Sequence, residues 1–167
     1  MKTISNELIR SFAPCYDPSE VVQDENEELT IAEWVEKYRG SVKNKADIVW
    51  LLCREDFFSA KDLRLFAVWC AREALKLVEN PDPRSVDACN VAEKFANGEA
   101  KSEELAAAWD AAGYAARAAA RDAAGDAAWA AARAAAGAAG SAARAAARAA
   151  AGDAQIDKLL TFLAPKP

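Results

Sequence analysis

The sequence predicts an all-α protein, a compact bundle of helical hairpins with an alanine-rich C-terminal half. Apolar residues recur at helical spacing, helix-capping residues punctuate the chain, and alanine, the strongest helix former, dominates the second half. No segment shows the alternation expected of a strand. At 167 residues we expect one domain. Conventional amphipathic helices would fill residues 1–101, with alanine-rich repeat helices over 102–164 packed on them.

The first helices are predicted from their caps. Ser5 can cap a short helix that Pro14 ends. Thr30 with Glu33 forms a capping box, which predicts a second helix beginning there. Residues 46–55 are predominantly apolar and predict a buried helix.

The next helix has the clearest amphipathic pattern in the chain. Ser59 is its predicted N-cap, and Asn80 followed by Pro81 ends it. Its apolar stripe follows i, i+3, i+4, i+7 spacing and comprises Leu63, Phe66, Ala67, Cys70, Ala74, Leu77 and Val78.

A further helix is predicted between two strong punctuation signals. Asp82 is a suitable N-cap, Pro83 fits the first helical position, and Gly98 fits the C-cap. Ser102 then begins a helix that leads into the alanine tract.

The alanine tract is too long for one helix in a compact domain. Residues 103–152 would span ~75 Å as a helix, whereas a compact chain of this length has a radius of gyration of ~15 Å. Breaks are expected at Gly125-Asp126 and within residues 137–141, giving helices of roughly 22, 10 and 22 residues. If only the second break forms, the tract is a two-helix hairpin.

A four-residue frame runs through WDAAGYAARAAARDAAGDAAWAAARAAAG, residues 109–137. Two origins are consistent with it: a ligand-binding array, or replication slippage of a twelve-base unit, since Trp, Arg and Gly codons differ by single bases. On a helix, every fourth residue forms a ridge suited to helix packing. The frame positions are Trp109, Gly113, Arg117, Arg121, Gly125, Trp129, Arg133 and Gly137.

Composition excludes several kinds of chemistry. The chain has no histidine, which removes His-dependent nucleophiles, His acid–base catalysis and His-containing zinc sites. There is no phosphate-binding loop of the GxxxxGK[ST] type, and no secretory h-region or apolar span that suits a membrane. We therefore expect a non-enzymatic protein without a cofactor or metal, located in the cytoplasm, or in a host's cytoplasm if a phage encodes it.

The charge is uneven along the chain. The net charge is −5, yet residues 105–154 contain five arginines and four aspartates, a local balance of +1. The remainder therefore carries −6, which disfavours binding to nucleic acid. Among the apolar residues, Cys53 and Cys70 are expected to be small buried side chains. Trp34, Trp50 and Trp69 are expected to be core residues.

The tract is also the candidate ligand site. Guanidinium groups can grip phosphate or carboxylate while aromatic rings stack on a base. The alternative is a solvated face whose Asp–Arg pairs contribute little. The candidate residues are Arg117, Arg121, Arg133, Arg144, Arg148, Trp109, Tyr114 and Trp129.

Residues 66–124 resemble the immunity proteins of bacterial toxin loci and related alanine-rich small phage proteins. The matching features, within FAVWCAREALKLVENPDPRSVDACNVAEKFANGEAKSEELAAAWDAAGYAARAAARDAA, are a Trp-Cys helix, the PDPR turn, the helix end before Gly98 and the following alanine-rich helix. The resemblance implies an all-helical, non-enzymatic protein that neutralises something by binding it.

Three functions follow as hypotheses. The first is stoichiometric sequestration of a small anionic, nucleotide-like immune signal by the tract, in phage or mobile-element counter-defence. The second is an immunity protein that blocks a toxin or effector protein. The third is a structural alanine-rich helical protein. Alanine ridges also predict a homo-oligomer, because they bury little area within one hairpin.

Overall fold

The computed structural model describes residues 2–113 and 139–163, and the side chains of all of these except 139–149. Helices dominate the described residues, which confirms the all-α class. The chain divides into two compact units. In the described residues, the first unit holds 2–59 and 146–163, and the second holds 60–113 and 139–145. The expectation of one domain stays a prediction.

The first unit contains three short helices, one 3-10 turn and part of a long C-terminal helix. Apart from that last helix, its elements are β1 (Thr3–Ile4), α1 (Asn6–Ser11), the turn Pro18–Glu20, β2 (Leu29–Thr30), α2 (Ile31–Tyr38) and α3 (Lys45–Leu52). β1 and β2 form an antiparallel pair in which Thr3 faces Thr30. The expectation of no strands was wrong here, because two residues per strand are too few to show alternation.

The predicted caps of the first two helices are confirmed. The Ser5 side chain accepts a hydrogen bond from the Leu8 backbone N–H, at 3.2 Å. At α2 the Thr30 hydroxyl accepts from the Glu33 N–H while the Glu33 carboxylate accepts from the Thr30 N–H, at 2.9 Å. The Thr30 hydroxyl also donates to the Glu33 carboxylate, at 2.6 Å, and this bond together with the Thr30 N–H holds the pKa of the Glu33 carboxyl below its usual value. Local hydrogen bonding therefore fixes both helix starts.

Arg39 joins α2 to the C-terminal helix of the first unit. That helix is α7 (Ala139–Leu160), which belongs to this unit from residue 146 onward. The Arg39 Nε donates to Asp153 Oδ1 at 2.8 Å, and its Nη1 donates to Asp157 Oδ1 at 2.5 Å. Ile156 and Leu159 of the same helix are fully buried. These two residues place α7 in the core of the first unit.

The second unit contains α4 (Ala60–Leu75), α5 (Pro83–Asn97) and a helix over residues 102–113, which we call α6. The predicted caps of α5 are confirmed. The Asp82 carboxylate accepts from the Arg84 N–H at 2.9 Å, and Gly98 ends the helix with φ of 79°. That left-handed conformation favours glycine because a Cβ would be strained there.

The predicted apolar stripe of α4 is only partly correct. Phe66 is buried, and its ring stacks on Trp69 with the centroids 6.3 Å apart. The helix ends at Leu75, earlier than predicted, and Leu77 and Val78 beyond it are 88% and 51% exposed. Of the predicted stripe only Phe66 is buried, and the buried Val68 lies outside the stripe, so periodicity did not identify which residues of α4 are covered.

Two further expectations are corrected. Cys53 is exposed, because it lies at the C-cap of α3 instead of within the apolar face of that helix. Cys70 is half-buried.

In the tract, residues 139–141 are helical, so no helix break lies among these three. The predicted break at Gly125-Asp126 lies outside the described residues. Trp34 is a core residue as expected, whereas Trp50 and Trp69 are half-buried.

Candidate functional site

An apolar groove runs between the three helices of the second unit. Each helix contributes one stripe of residues at i, i+3, i+4, i+7 spacing, which places them along one helix face. The groove has a volume of about 820 Å³. It is lined by Arg64, Ala67, Val68, Ala71, Ala74, Leu75 and Val78 of α4 and the residues that follow it, by Ser85, Ala88, Cys89, Ala92 and Phe95 of α5, and by Ser102, Leu105, Ala106, Trp109 and Ala112 of α6.

Alanine makes this surface concave. On α4, Ala67, Ala71 and Ala74 face the groove and are exposed to solvent. Val68 and Cys89 lie deeper and are buried. Because alanine side chains end at Cβ, another backbone can approach these helices closely, much as small residues permit at helix–helix contacts.

Few polar groups line the groove. Arg64 is the one charged side chain among the described lining residues, and its guanidinium lies over the Phe95 ring, 5.1 Å from the ring centroid. Among the described residues Arg64 has no ion pair. The hydroxyls of Ser85 and Ser102 are the other polar side-chain groups in the lining. The site therefore suits an occupant with an apolar face, not a densely charged ligand.

Large apolar side chains stand out at one end of the groove. Trp109 on α6 is 77% exposed although it lines the groove. Val78, which also lines the groove, is 51% exposed. Exposed apolar side chains that line a groove are candidates for contact with a binding partner.

Trp109 is the one residue of the predicted ligand site whose side chain the structure describes. Arg144 and Arg148 lie on α7, but nothing is described of their side chains. The other five residues of that site lie outside the described residues: Tyr114, Arg117, Arg121, Trp129 and Arg133. The ligand site thus stays a prediction, with Trp109 as its described member.

Two arginines of the second unit are engaged in ion pairs. Arg72 Nη2 of α4 lies 2.6 Å from Glu93 Oε2 of α5. Arg84 Nη2 lies 2.7 Å from Asp82 Oδ2, and together with the Arg84 backbone N–H this hydrogen bond lowers the pKa of Asp82 to about 2. Both arginines therefore serve helix pairing and capping.

A metal site was sought among the described residues. No group of three or more Cys, Asp or Glu side chains there is arranged to hold a metal ion. A second depression of about 570 Å³ in the first unit lies beside Arg10, Cys15 and Tyr16. The arginine beside this depression is already engaged in an ion pair, since Arg10 Nη1 donates to Glu25 Oε2 at 2.7 Å. None of the described helices is long and apolar enough to cross a bilayer.

Comparison of the chain with protein-family models, with curated proteins and with solved structures finds no match. The resemblance of residues 66–124 to immunity proteins therefore remains a prediction.

Sequence reasoning missed the groove residues other than Trp109. The signal was available, because the stripes on α5 and α6 have the same spacing as the stripe on α4. Nothing in the periodicity distinguishes a filled interface from an open one.

Proposed function

We propose that this is a non-catalytic binding protein whose groove accepts a helix of a partner protein and blocks that partner stoichiometrically. The observation that carries the proposal is an open groove lined by alanine and larger apolar side chains, with exposed Trp109 at its edge. Helix-in-groove recognition uses such surfaces, with apolar anchors spaced along the bound helix. The resemblance to immunity proteins of toxin loci supports a blocking role.

Two neighbouring alanines on α6 offer a matched test. Ala106 lines the groove and Ala107 does not, although both are exposed on the same helix. Ala106→Arg fills the groove with a long charged side chain, whereas Ala107→Arg adds the same side chain outside it. Both variants should fold, because each replaces an exposed residue with a good helix former.

The experiment is capture of partners by tagged protein from a host that carries toxin loci, followed by reconstitution of the complex from purified components. We expect a one-to-one complex with the wild type and Ala107→Arg, and loss of that complex with Ala106→Arg. Equal complex formation by both variants would rule out the groove as the binding surface.

Sequestration of a small anionic ligand is a second candidate. The exposed ring of Trp109 favours it, because an indole face in water is available to stack on a base. The phosphate groups would be held by the arginines of the predicted site, in which Arg117 and Arg121 lie one helical turn apart in sequence spacing. In this form the protein would serve phage or mobile-element counter-defence.

We also propose that the protein self-associates and acts in the cytoplasm. Alanine ridges of the tract would pair between copies, which leaves the groove of each copy open to its partner. A blocking protein of this kind would act where its target is made or delivered, in the cytoplasm.

A further inference from the structure

Arg64 brings a positive charge into the lining of a predominantly apolar groove. Its guanidinium lies 5.1 Å from the ring centroid of Phe95, which also lines the groove. A guanidinium stacked on an aromatic ring holds its N–H donors in one plane, where a carboxylate can accept two parallel hydrogen bonds. No carboxylate among the described residues forms an ion pair with Arg64. In the described part of the chain, the groove therefore contains a positioned cation without a counter-ion.

Arg64 lies at one end of the groove. Helices α4 and α5 run antiparallel, because Arg64 contacts Phe95 near the end of α5, whereas Arg72, about two turns further along α4, donates to Asn90 at 3.1 Å. Only residues 98–101 separate α5 from α6, so that α6 turns back along α5. Ser102, the first lining residue of α6, therefore lies at the same end as Arg64.

The acidic residues at this end do not line the groove. Glu103 and Glu104 lie about 100° and about 200° around α6 from the lining residue Ser102, at 3.6 residues per turn. The Glu104 carboxylate also accepts a hydrogen bond from the Lys101 backbone N–H, at 2.7 Å. Glu99 is exposed in the link between α5 and α6. These carboxylates therefore surround this end of the unit without entering the groove.

Lysines at the same end balance these three glutamates. Lys61, Lys94 and Lys101 are exposed there, equal in number to the glutamates. Lys61 lies three residues before Arg64, which places it on the adjacent part of the same helix face. Asp62 is buried and lies about 200° around α4 from Arg64. The charge of Arg64 is therefore not offset at this end of the groove.

We infer that the partner helix, given the proposed function, carries an aspartate or glutamate that binds Arg64 at one end of an apolar face. The α4 lining from Arg64 to Leu75 extends over ~16 Å at 1.5 Å per residue, which is about three helical turns. The apolar residues of the partner would cover that length and pack on the alanine stripes. A single charged anchor would fix the register of an apolar face that could otherwise slide along small side chains.

Synthetic helical peptides with one leucine–alanine face provide the probe. Three peptides differ only at the anchor, which is glutamate, glutamine or lysine. Each is made with the anchor at the first and at the last position of the face, so that both directions of the bound helix are covered. Affinity for the full-length protein is measured by fluorescence anisotropy. In one of the two forms, we expect the glutamate peptide to bind at least about tenfold more tightly than the glutamine peptide.

Substitution of Arg64 tests which cation binds the anchor. Arg64→Gln should make the glutamate and glutamine peptides equal, and Arg64→Glu should transfer the preference to the lysine peptide. Both variants should fold, because Arg64 is exposed and both new residues are good helix formers. Lys94→Glu is the control, since Lys94 is exposed at the same end but does not line the groove. It changes the net charge as much as Arg64→Glu and should retain the preference for glutamate.

The outcomes separate this inference from the proposed function. If the glutamate and glutamine peptides bind equally and Ala106→Arg abolishes both, the groove binds helices but the inference of an acidic anchor is wrong. A preference for glutamate that persists in Arg64→Gln would also overturn it. If no peptide binds, or Ala106→Arg has no effect, both proposals are wrong. Dimerisation of the protein alone that Ala106→Arg removes would assign the groove to a second copy and overturn the inference.

Discussion

Gly152 of α7 lies directly against Lys45 at the start of α3. A Cβ placed on Gly152 would lie 2.5 Å from the Cβ of Lys45, closer than carbon atoms can approach without a shift. Because the Lys45 Cβ is fixed to the backbone, rotation of the lysine side chain does not relieve this contact. The long C-terminal helix thus reaches the N-terminal helices at a position that only hydrogen fits.

Gly152→Ala should therefore destabilise the protein, although alanine is the better helix former. Overpacking costs roughly 1–3 kcal/mol, against a helix-propensity gain of about 1 kcal/mol. We expect the free energy of unfolding to fall by up to about 2 kcal/mol in urea titrations followed by circular dichroism. Gly113→Ala is the control, since no atom of the described residues lies within 4 Å of its added Cβ. That variant should be neutral or more stable, and equal stabilisation by both changes would contradict the packing argument.

The Arg39–Asp157 pair predicts a pH dependence. The Arg39 guanidinium lowers the pKa of the Asp157 carboxyl below its ordinary value of 3.8. A lowered pKa in the folded state gives stability that is present above the ordinary value and is lost as the pH falls through the folded-state value. Asp157→Asn should reduce the free energy of unfolding at pH 7 by less than about 1 kcal/mol, because the carboxylate is largely exposed.

Measurement between pH 7 and pH 2 checks that sign. The difference between the wild type and Asp157→Asn should shrink below about pH 4, where the unfolded carboxyl begins to bind protons. Glu36→Gln removes an exposed carboxylate of α2 and should give no such pH-dependent difference. A difference that grows on acidification would contradict the assignment of Asp157 to Arg39.

Phe66 and Leu77 distinguish the core of the second unit from its exposed face. Phe66→Ala should reduce the free energy of unfolding by roughly 3–5 kcal/mol, because the ring is buried against Trp69. Leu77→Ala should change it by less than about 0.5 kcal/mol, since that side chain is 88% exposed. Similar losses in denaturant titrations would show that Leu77 is covered in solution.

The small-ligand candidate predicts losses at specific arginines. If Arg117 and Arg121 hold phosphate, each contributes a charge-assisted hydrogen bond of roughly 1.5–3 kcal/mol. Arg117→Ala or Arg121→Ala should then weaken binding about ten- to a hundredfold without unfolding the protein. Calorimetry with nucleotides, cyclic dinucleotides and ADP-ribose derivatives measures this, and recovery of the unaltered ligand separates sequestration from hydrolysis. If no compound on the panel binds, this candidate is eliminated.

Self-association is checked by light scattering at micromolar concentration. We expect a species of twice the chain mass of 17.8 kDa or larger, from pairing of the alanine-rich ridges. Ala106→Arg should leave that species unchanged, because the ridges and the groove are separate surfaces in this proposal. A monomer at all concentrations would contradict it.

Short-range signals in the sequence predicted much of the fold correctly. The Thr30–Glu33 capping box and the Asp82 to Gly98 boundaries each depend on hydrogen bonds or dihedral angles within a few residues, so local sequence determines them. The exposure of Leu77 could not be predicted in this way. Whether an apolar residue is covered depends on which other elements pack against it, and helical periodicity carries no such information.

The candidate site was predictable only in part for the same reason. Trp109 was selected as an unusual large side chain among alanines, and it does lie at the edge of the groove. The proximity of Arg64 to Phe95, 31 positions apart, depends on how α4 and α5 pair, which no local pattern encodes. The Arg39–Asp153 hydrogen bond, with partners 114 positions apart, was equally inaccessible.

The Arg39 contacts with α7 also bear on how the repeat can evolve. Because residues 2–59 and 146–163 belong to one unit, everything between them is an insertion whose two ends are held by the same core. The entropic cost of closing such an insertion grows only with the logarithm of its length. Adding one four-residue unit therefore raises that cost by only a few hundredths of a kcal/mol. Replication slippage could therefore lengthen or shorten the tract by whole repeat units at almost no entropic cost to the first unit, so that repeat number can vary between lineages while that core is inherited intact.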